Sequence, residues 1–168
     1  MINTMQKKPL IYGILNEAAC PARIPNCRLV ASSVFKAQSG KFVSRDTSAG
    51  FFDPAAAADT QIQGWAVVPS SYAGAKYDSD GVYTVHASLI ERVEVVNDIN
   101  ARFLIPSDGA PTEAMKGVTC DLSVASSVIK GNIAASSTDV IVIYDFNATL
   151  LLLEVGLNPI KMYTLGVV

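Results

Sequence analysis

Charge is scarce in this chain. Only 17% of its 168 residues are Asp, Glu, Lys or Arg, against about 25% in ordinary soluble domains. Less of the surface is held in solution by ionised groups, so apolar surface covered by a partner or by further copies of the chain is expected. Histidine is scarcer still: His86 is the single one, and any Ser-His-Asp or Cys-His site would have to use it. It stands in the strand-like VYTVHAS, and no GxSxG turn occurs anywhere. That context favours a structural or surface histidine.

Cysteine is limited to Cys20, Cys27 and Cys120. An odd number with no signal-peptide pattern at the start implies reduced thiols in a protein made in a cytoplasm. Six residues separate Cys20 from Cys27, too many for a zinc knuckle, and no His or second Cys pair completes a site. Buried inert thiols, no metal and no other cofactor are expected. Long apolar runs are missing too. The longest, around Leu150 to Val155, falls far short of the ~20 residues a spanning helix needs, which implies a soluble protein with no membrane partner.

The remaining fragments of chemical motifs are incomplete. Asp78-Ser79-Asp80-Gly81 starts like a calcium loop, but its Gly comes two positions early and no Glu closes it. Gly40-Lys41 lacks the flanking residues of a phosphate loop. Asn147-Ala148-Thr149 is a glycosylation acceptor only in a secreted protein. Glu91 with Glu94, or Asp139 with Asp145, could form a glycosidase pair, but strand alternation already explains them as solvent-facing. The chain reads as a non-enzyme.

What is abundant is β texture. From Arg28 onward, short segments rich in Val, Ile, Tyr, Phe and Thr are bounded by Gly, Pro, Asp or Asn. Expected strands are Leu29–Lys36, Lys41–Ser44, Gln61–Val68, Val82–Ala87, Ile90–Val96, Ala101–Ile105, Gly117–Leu122, Ser127–Ile133, Val140–Tyr144, Thr149–Val155 and Lys161–Val167. Val140 to Ile143 lacks polar alternation and reads as a strand covered on both faces. Pro111–Lys116 suits a short helix; Asp53-Pro54 is turn chemistry, and Ala55–Ala58 a loop or one helical turn. The fold class is all-β, a mainly antiparallel β-sandwich or barrel with little helix.

An extended N-terminal arm, residues 1–28, precedes a single β-rich domain, residues 29–168. Pro9, Pro21 and Pro25 interrupt the arm, yet Leu10, Ile11, Tyr12, Ile14 and Leu15 are too apolar for a free tail. Their surface is either this chain's own core or a partner subunit. Residues 1–45 carry net +6 and the remainder −8, so the arm touches something different from the rest. Its basic residues, among them Lys7, Lys8 and Arg23, are spread out and accompany no binding module, which argues against nucleic acid.

The stretch from Ser39 to Ser70 organises the chain: GKFV, a Ser/Asp/Gly loop, an Ala-rich bridge, then IQGWAVVP. Gly64 beside the single Trp, Trp65, suggests close backbone approach with a buried indole. This layout, over roughly residues 30 to 168, resembles the small β-rich head decoration (capsid cement) proteins of tailed bacteriophages. The resemblance implies a structural virion protein, made in the host cytoplasm, that binds the major capsid protein on the outer capsid surface and stabilises contacts between capsomers. It also implies a homo-oligomer. The arm residues Leu10, Ile11, Tyr12, Ile14, Leu15, Lys7, Lys8 and Arg23 would then bind the partner. An alternative is a β-sandwich module for a carbohydrate-type ligand, with Tyr72, Tyr77 and Tyr83 as the aromatic residues available to it.

Overall fold

The computed structural model describes residues 22–46, 51–68, 82–85 and 92–162, together with the backbone of 13–14. These are almost entirely strand and turn, in antiparallel sheets. The short helix expected at Pro111–Lys116 is a 3-10 turn at Glu113–Met115. A second 3-10 turn, Pro159–Lys161, occupies the start of the strand expected at Lys161–Val167.

Six strands form one sheet: β1 (Gly13–Ile14), β9 (Phe103–Pro106), β13 (Leu152–Leu157), β12 (Ile141–Asn147), β10 (Thr119–Ala125) and β11 (Val128–Asn132), in that spatial order. It nearly closes into a barrel, because Gly131 on β11 accepts a hydrogen bond from the Asp108 amide just past β9, at 3.0 Å. The second sheet runs β2 (Arg23–Arg28), β8 (Arg92–Val96), β6 (Gly64–Val67), β4 (Phe42–Arg45) and β5 (Phe52–Pro54). Its two edges meet where Leu29 bridges Phe52. A ribbon of β3 (Val34–Lys36) and β7 (Val82–Thr84) completes the described fold.

Alternation along each strand sorts the apolar side chains into two cores. Phe42, Trp65 and Val96 point from the five-stranded sheet toward the six-stranded one, meeting Phe103, Ile105, Leu122, Ile141 and Leu153. Their neighbours Val43, Ala66 and Val95 point the other way and pack with Phe35 and Tyr83 of the ribbon. Strands β4 and β6 are thus covered on both faces, which is why Lys41–Val43 and Gln63–Ala66 are buried without a break. The reverse holds for Val140–Ile143. Ile141 and Ile143 face the core, while Val142 points to the other side of β12 and is half-exposed.

Other boundaries move for local reasons. The expected strand Leu29–Lys36 breaks at Ser32, whose φ of 67° makes the turn into β3. Asp53-Pro54 forms β5 rather than a turn; Pro54 is tolerated on a sheet edge, where no ladder donor is needed. Ser126 and Ser127, both at positive φ, make the tight turn between β10 and β11. Within the expected arm, Arg23–Arg28 forms β2, paired with β8. Gly13–Ile14 likewise pairs with Leu104 and Phe103 of this same chain.

At the centre, Trp65 stacks on Phe103 with centroids 5.0 Å apart, and Phe42 stands edge-on to both at 5.1 and 5.5 Å. Gly64 sets this up. Its φ is +152°, and a Cβ there would stand 2.2 Å from the Val96 carbonyl oxygen, so β6 and β8 could not approach closely enough to seat the indole. Gly64→Ala is expected to cost at least as much as Trp65→Ala, about 3–5 kcal/mol by loss of a large buried side chain; urea unfolding midpoints of the two variants check this.

Candidate interaction surfaces

The outer face of the six-stranded sheet carries a connected set of polar and aromatic groups. Gly13, Leu104, Glu154 and Asp145 form one cross-strand row from β1 to β12. A bulge between Ile143 and Asp145 puts Tyr144 and Asp145 together on this face. The Tyr144 ring covers Gly156, where a Cβ would meet it at 2.8 Å. Arg102 caps the ring at 3.5 Å from its centroid. Lys116 bridges Asp145 at 3.0 Å and Glu113 at 3.1 Å. Glu154 sits between these groups, half-buried and without an ion pair among the described residues. Burial, then the charge of Asp145, pushes its pKa up, with Arg102 opposing.

Exposed apolar side chains stand at the sheet ends. Leu150 and Leu151, 45% and 43% exposed, form the tip of the β12–β13 hairpin. That tip is held by the Leu150 amide donating to Asn147 Oδ1 and the Ser107 amide donating to the Leu151 carbonyl. Leu151 has φ of 51°, a conformation costly for a bulky residue. Ile160, at 84%, is the most exposed large apolar side chain described. Between β3, β5 and the β10–β11 turn lies an open cleft of about 330 Å³, lined by Ser32, Ser33, Asp53, Ala55, Ser127 and Ile129 among others. Ser33 Oγ donates to Asp53 Oδ1 there at 2.7 Å.

Of the residues expected to bind a partner, Lys7, Lys8, Leu10, Ile11, Tyr12 and Leu15 lie outside the described residues, as do His86, Cys20, Tyr72, Tyr77 and Asp78–Gly81. Ile14 belongs to β1. Arg23 pairs within the chain with Glu94, at 2.5 Å and partly exposed. Tyr83 is a core residue at 2% exposure, not a ligand platform. Asp139 accepts from Thr119 Oγ1 and Asp145 pairs with Lys116, so each has its own local partner. Cys27 and Cys120 are buried free thiols. Burial, then the nearby Asp121, Asp108 and Asp139 charges, pushes Cys120 up to about 12, and no group of side chains suited to a metal ion occurs among the described residues.

Two buried ionisable groups escaped the sequence reading. Asp121, in the apolar strand β10, receives the Ser137 hydroxyl at 2.6 Å and the amides of Ser137, Thr138 and Asp139 at 2.7–3.0 Å. Burial works to raise its pKa, but these donors outweigh it and hold the carboxyl below the usual carboxylate range. Lys41, 6% exposed, donates to the carbonyls of Lys36, Ala37 and Ser39, with no ion pair to a carboxylate among the described residues. Burial lowers it to about 8. The signal available in sequence was one charged residue inside an apolar segment in each case, CDL and KFV.

No protein-family model, curated protein or solved structure matches the chain.

Both groups make stability depend on pH, in opposite regions. Asp121 is depressed in the folded state, so its contribution is full above its unfolded pKa of about 3.9 and is lost as pH falls below that. Lys41 is lowered, so its burial costs stability below about 8, and the cost is relieved as pH rises toward the unfolded value of about 10.4. Asp121→Asn, which removes charge-assisted bonds from a loop, should lose on the order of 3 kcal/mol at pH 7 and flatten the acid limb of a denaturation series. Lys41→Met should flatten the rise between pH 8 and 10.

Proposed function

We propose that this protein is a structural component of a phage virion that docks on the outer capsid surface, binds the major capsid protein and reinforces contacts between capsomers, acting as a homo-oligomer and without enzymatic activity. The observation that carries this reading is the pair of exposed leucines at the rigid β12–β13 tip. Leu150 and Leu151 occupy a turn where polar residues are usual, and Leu151 does so at positive φ. An apolar contact point presented on a fixed hairpin suits a partner surface better than solvent.

Further support comes from where the resemblance falls. GKFV and IQGWAVVP correspond to β4 and β6, the strands covered on both faces, so the stretch that resembles decoration proteins is the scaffold of the domain. The low charged fraction also accords with a surface that is covered in use. A second reading, a carbohydrate-type module, is favoured by the Ser33–Asp53 cleft, whose hydroxyls and carboxylate suit a polyol. None of the cleft's lining residues is aromatic, so the usual stacking platform for a sugar ring is not supplied there.

The test is co-purification with intact heads. The protein should remain on heads through gradient sedimentation and come off under mild denaturant. Leu150→Asp with Leu151→Asn should cut occupancy at least tenfold without lowering the unfolding midpoint, since Asn tolerates positive φ. His86→Ala should leave occupancy unchanged. Wild-type protein that never sediments with heads, but binds oligosaccharides in a titration lost on Asp53→Ala, would favour the second reading.

A further inference from the structure

The cleft between β3, β5 and the β10–β11 turn holds a single ionisable group, Asp53, and no basic side chain lines it. Asp53 is half-buried. Its Oδ1 accepts the Ser33 hydroxyl at 2.7 Å, while its Oδ2 accepts no hydrogen bond and the carboxylate forms no ion pair among the described residues. Other carboxylates of the fold are better supplied. Asp98, Asp108 and Asp121 receive backbone amides, and Glu94, Glu113 and Asp145 each meet a basic side chain. Asp53 has one neutral donor, so a partly buried negative charge is left without a counter-ion in a concave site.

The lining around that charge is largely apolar: Val34, Pro54, Ala55, Val124 and Ile129. It is also fixed in place. The Ser33 amide donates to the Val30 carbonyl and the Ser33 carbonyl accepts the Val85 amide, the Ala55 amide donates to the Phe42 carbonyl, and the Ile129 amide donates to the Ser39 hydroxyl. A ligand for such a site needs an apolar stem ending in one positive charge, which describes lysine. A guanidinium fork prefers both carboxylate oxygens, and Oδ1 is already engaged by Ser33. A polyol would set hydroxyls against Val34, Pro54 and Ile129, where nothing bonds them. The volume of about 330 Å³ is at the small end of ligand sites, enough for one side chain.

We propose that this cleft seats a lysine side chain presented by a partner protein, with the lysine methylenes against Val34, Pro54, Val124 and Ile129 and its ammonium donating to Asp53 Oδ2. A half-exposed ion pair is weak alone, so the cleft adds a keyed contact to a larger interface and holds free amines only loosely. This deepens the docking reading and rests on it for the protein that carries the lysine. The chemistry of the cleft is tested apart from heads, so the two can fail separately.

The test is a titration of the ¹⁵N-labelled full chain with N-acetyl-lysine methylamide at low ionic strength, followed by the amide signals of the protein. Saturable shifts are expected at Ser33, Asp53, Ala55, Ser127 and Ile129, and they should weaken as salt is added. The same ligand acetylated on Nε, which keeps the stem and removes the charge, should bind at least tenfold more weakly. So should the arginine analogue. Asp53→Asn, which removes the charge but retains an acceptor for the Ser33 hydroxyl, should also weaken binding at least tenfold. Absence of saturable shifts, equal binding of the Nε-acetylated ligand, or comparable shifts at the exposed Glu113 would overturn the proposal. Shifts of the cleft amides by methyl glucoside and not by the lysine ligand would overturn it as well, in favour of a sugar site. If Asp53→Asn does not fold, the Nε-acetyl comparison on the wild-type chain decides.

Discussion

The face-to-face stack of Trp65 on Phe103 joins β6 of one sheet to β9 of the other, and the rest of the fold is arranged so that this contact can form. Phe42 closes it from the side. Gly64 lets β6 approach β8 closely enough to place the indole. Large aromatic side chains supply apolar area and a preferred geometry together, so they fix the relative placement of two sheets more sharply than aliphatic packing would. Around them Ile105, Leu122, Ile141 and Leu153 fill the remaining space.

The five-stranded sheet does the harder work, because it has a core on each side. Adjacent residues such as Phe42 and Val43, or Trp65 and Ala66, belong to different cores. A single-residue slip in register would therefore exchange large side chains for small ones in both cores at once, a strong constraint on pairing. Buried polar groups serve the connections. Asp121 ties residues 137–139 to β10, Lys41 closes the turn that follows β3, and the Ser39 hydroxyl receives the Ile129 amide at 2.7 Å. Each lets a loop pass through low-dielectric surroundings with its backbone satisfied.

The β character of the chain was legible because propensity and turn chemistry are local, and both survive in β4, β6, β8 and β9 nearly where they were expected. The significance of Gly64 beside Trp65 was legible for the same reason. What could not be read was which faces have a core. Val140–Ile143 is an unbroken apolar run and Lys41–Val43 is not, yet the first strand is covered on one face and the second on both, and only the tertiary arrangement of sheets decides that. Arg23–Arg28, RIPNCR, has weak strand texture and is recruited into a strand by pairing with β8. Asp121 was invisible as a structural lock because its donors lie sixteen to eighteen residues away.

The strand order also has a temporal side. β9 pairs with β13, so that Phe103 meets Val155, and β2 pairs with β8, so that Arg23 meets Val96. Such non-local pairings are slow to form, whereas the β10–β11 and β12–β13 hairpins close locally. During synthesis β9, four residues that all end up buried, emerges well before the strand that will cover its edge. Until then it offers an apolar template to any passing strand. A chain with few charges to keep such intermediates apart depends on its last strands arriving promptly, which makes the C-terminal hairpin the timekeeper of its folding as well as one wall of its barrel.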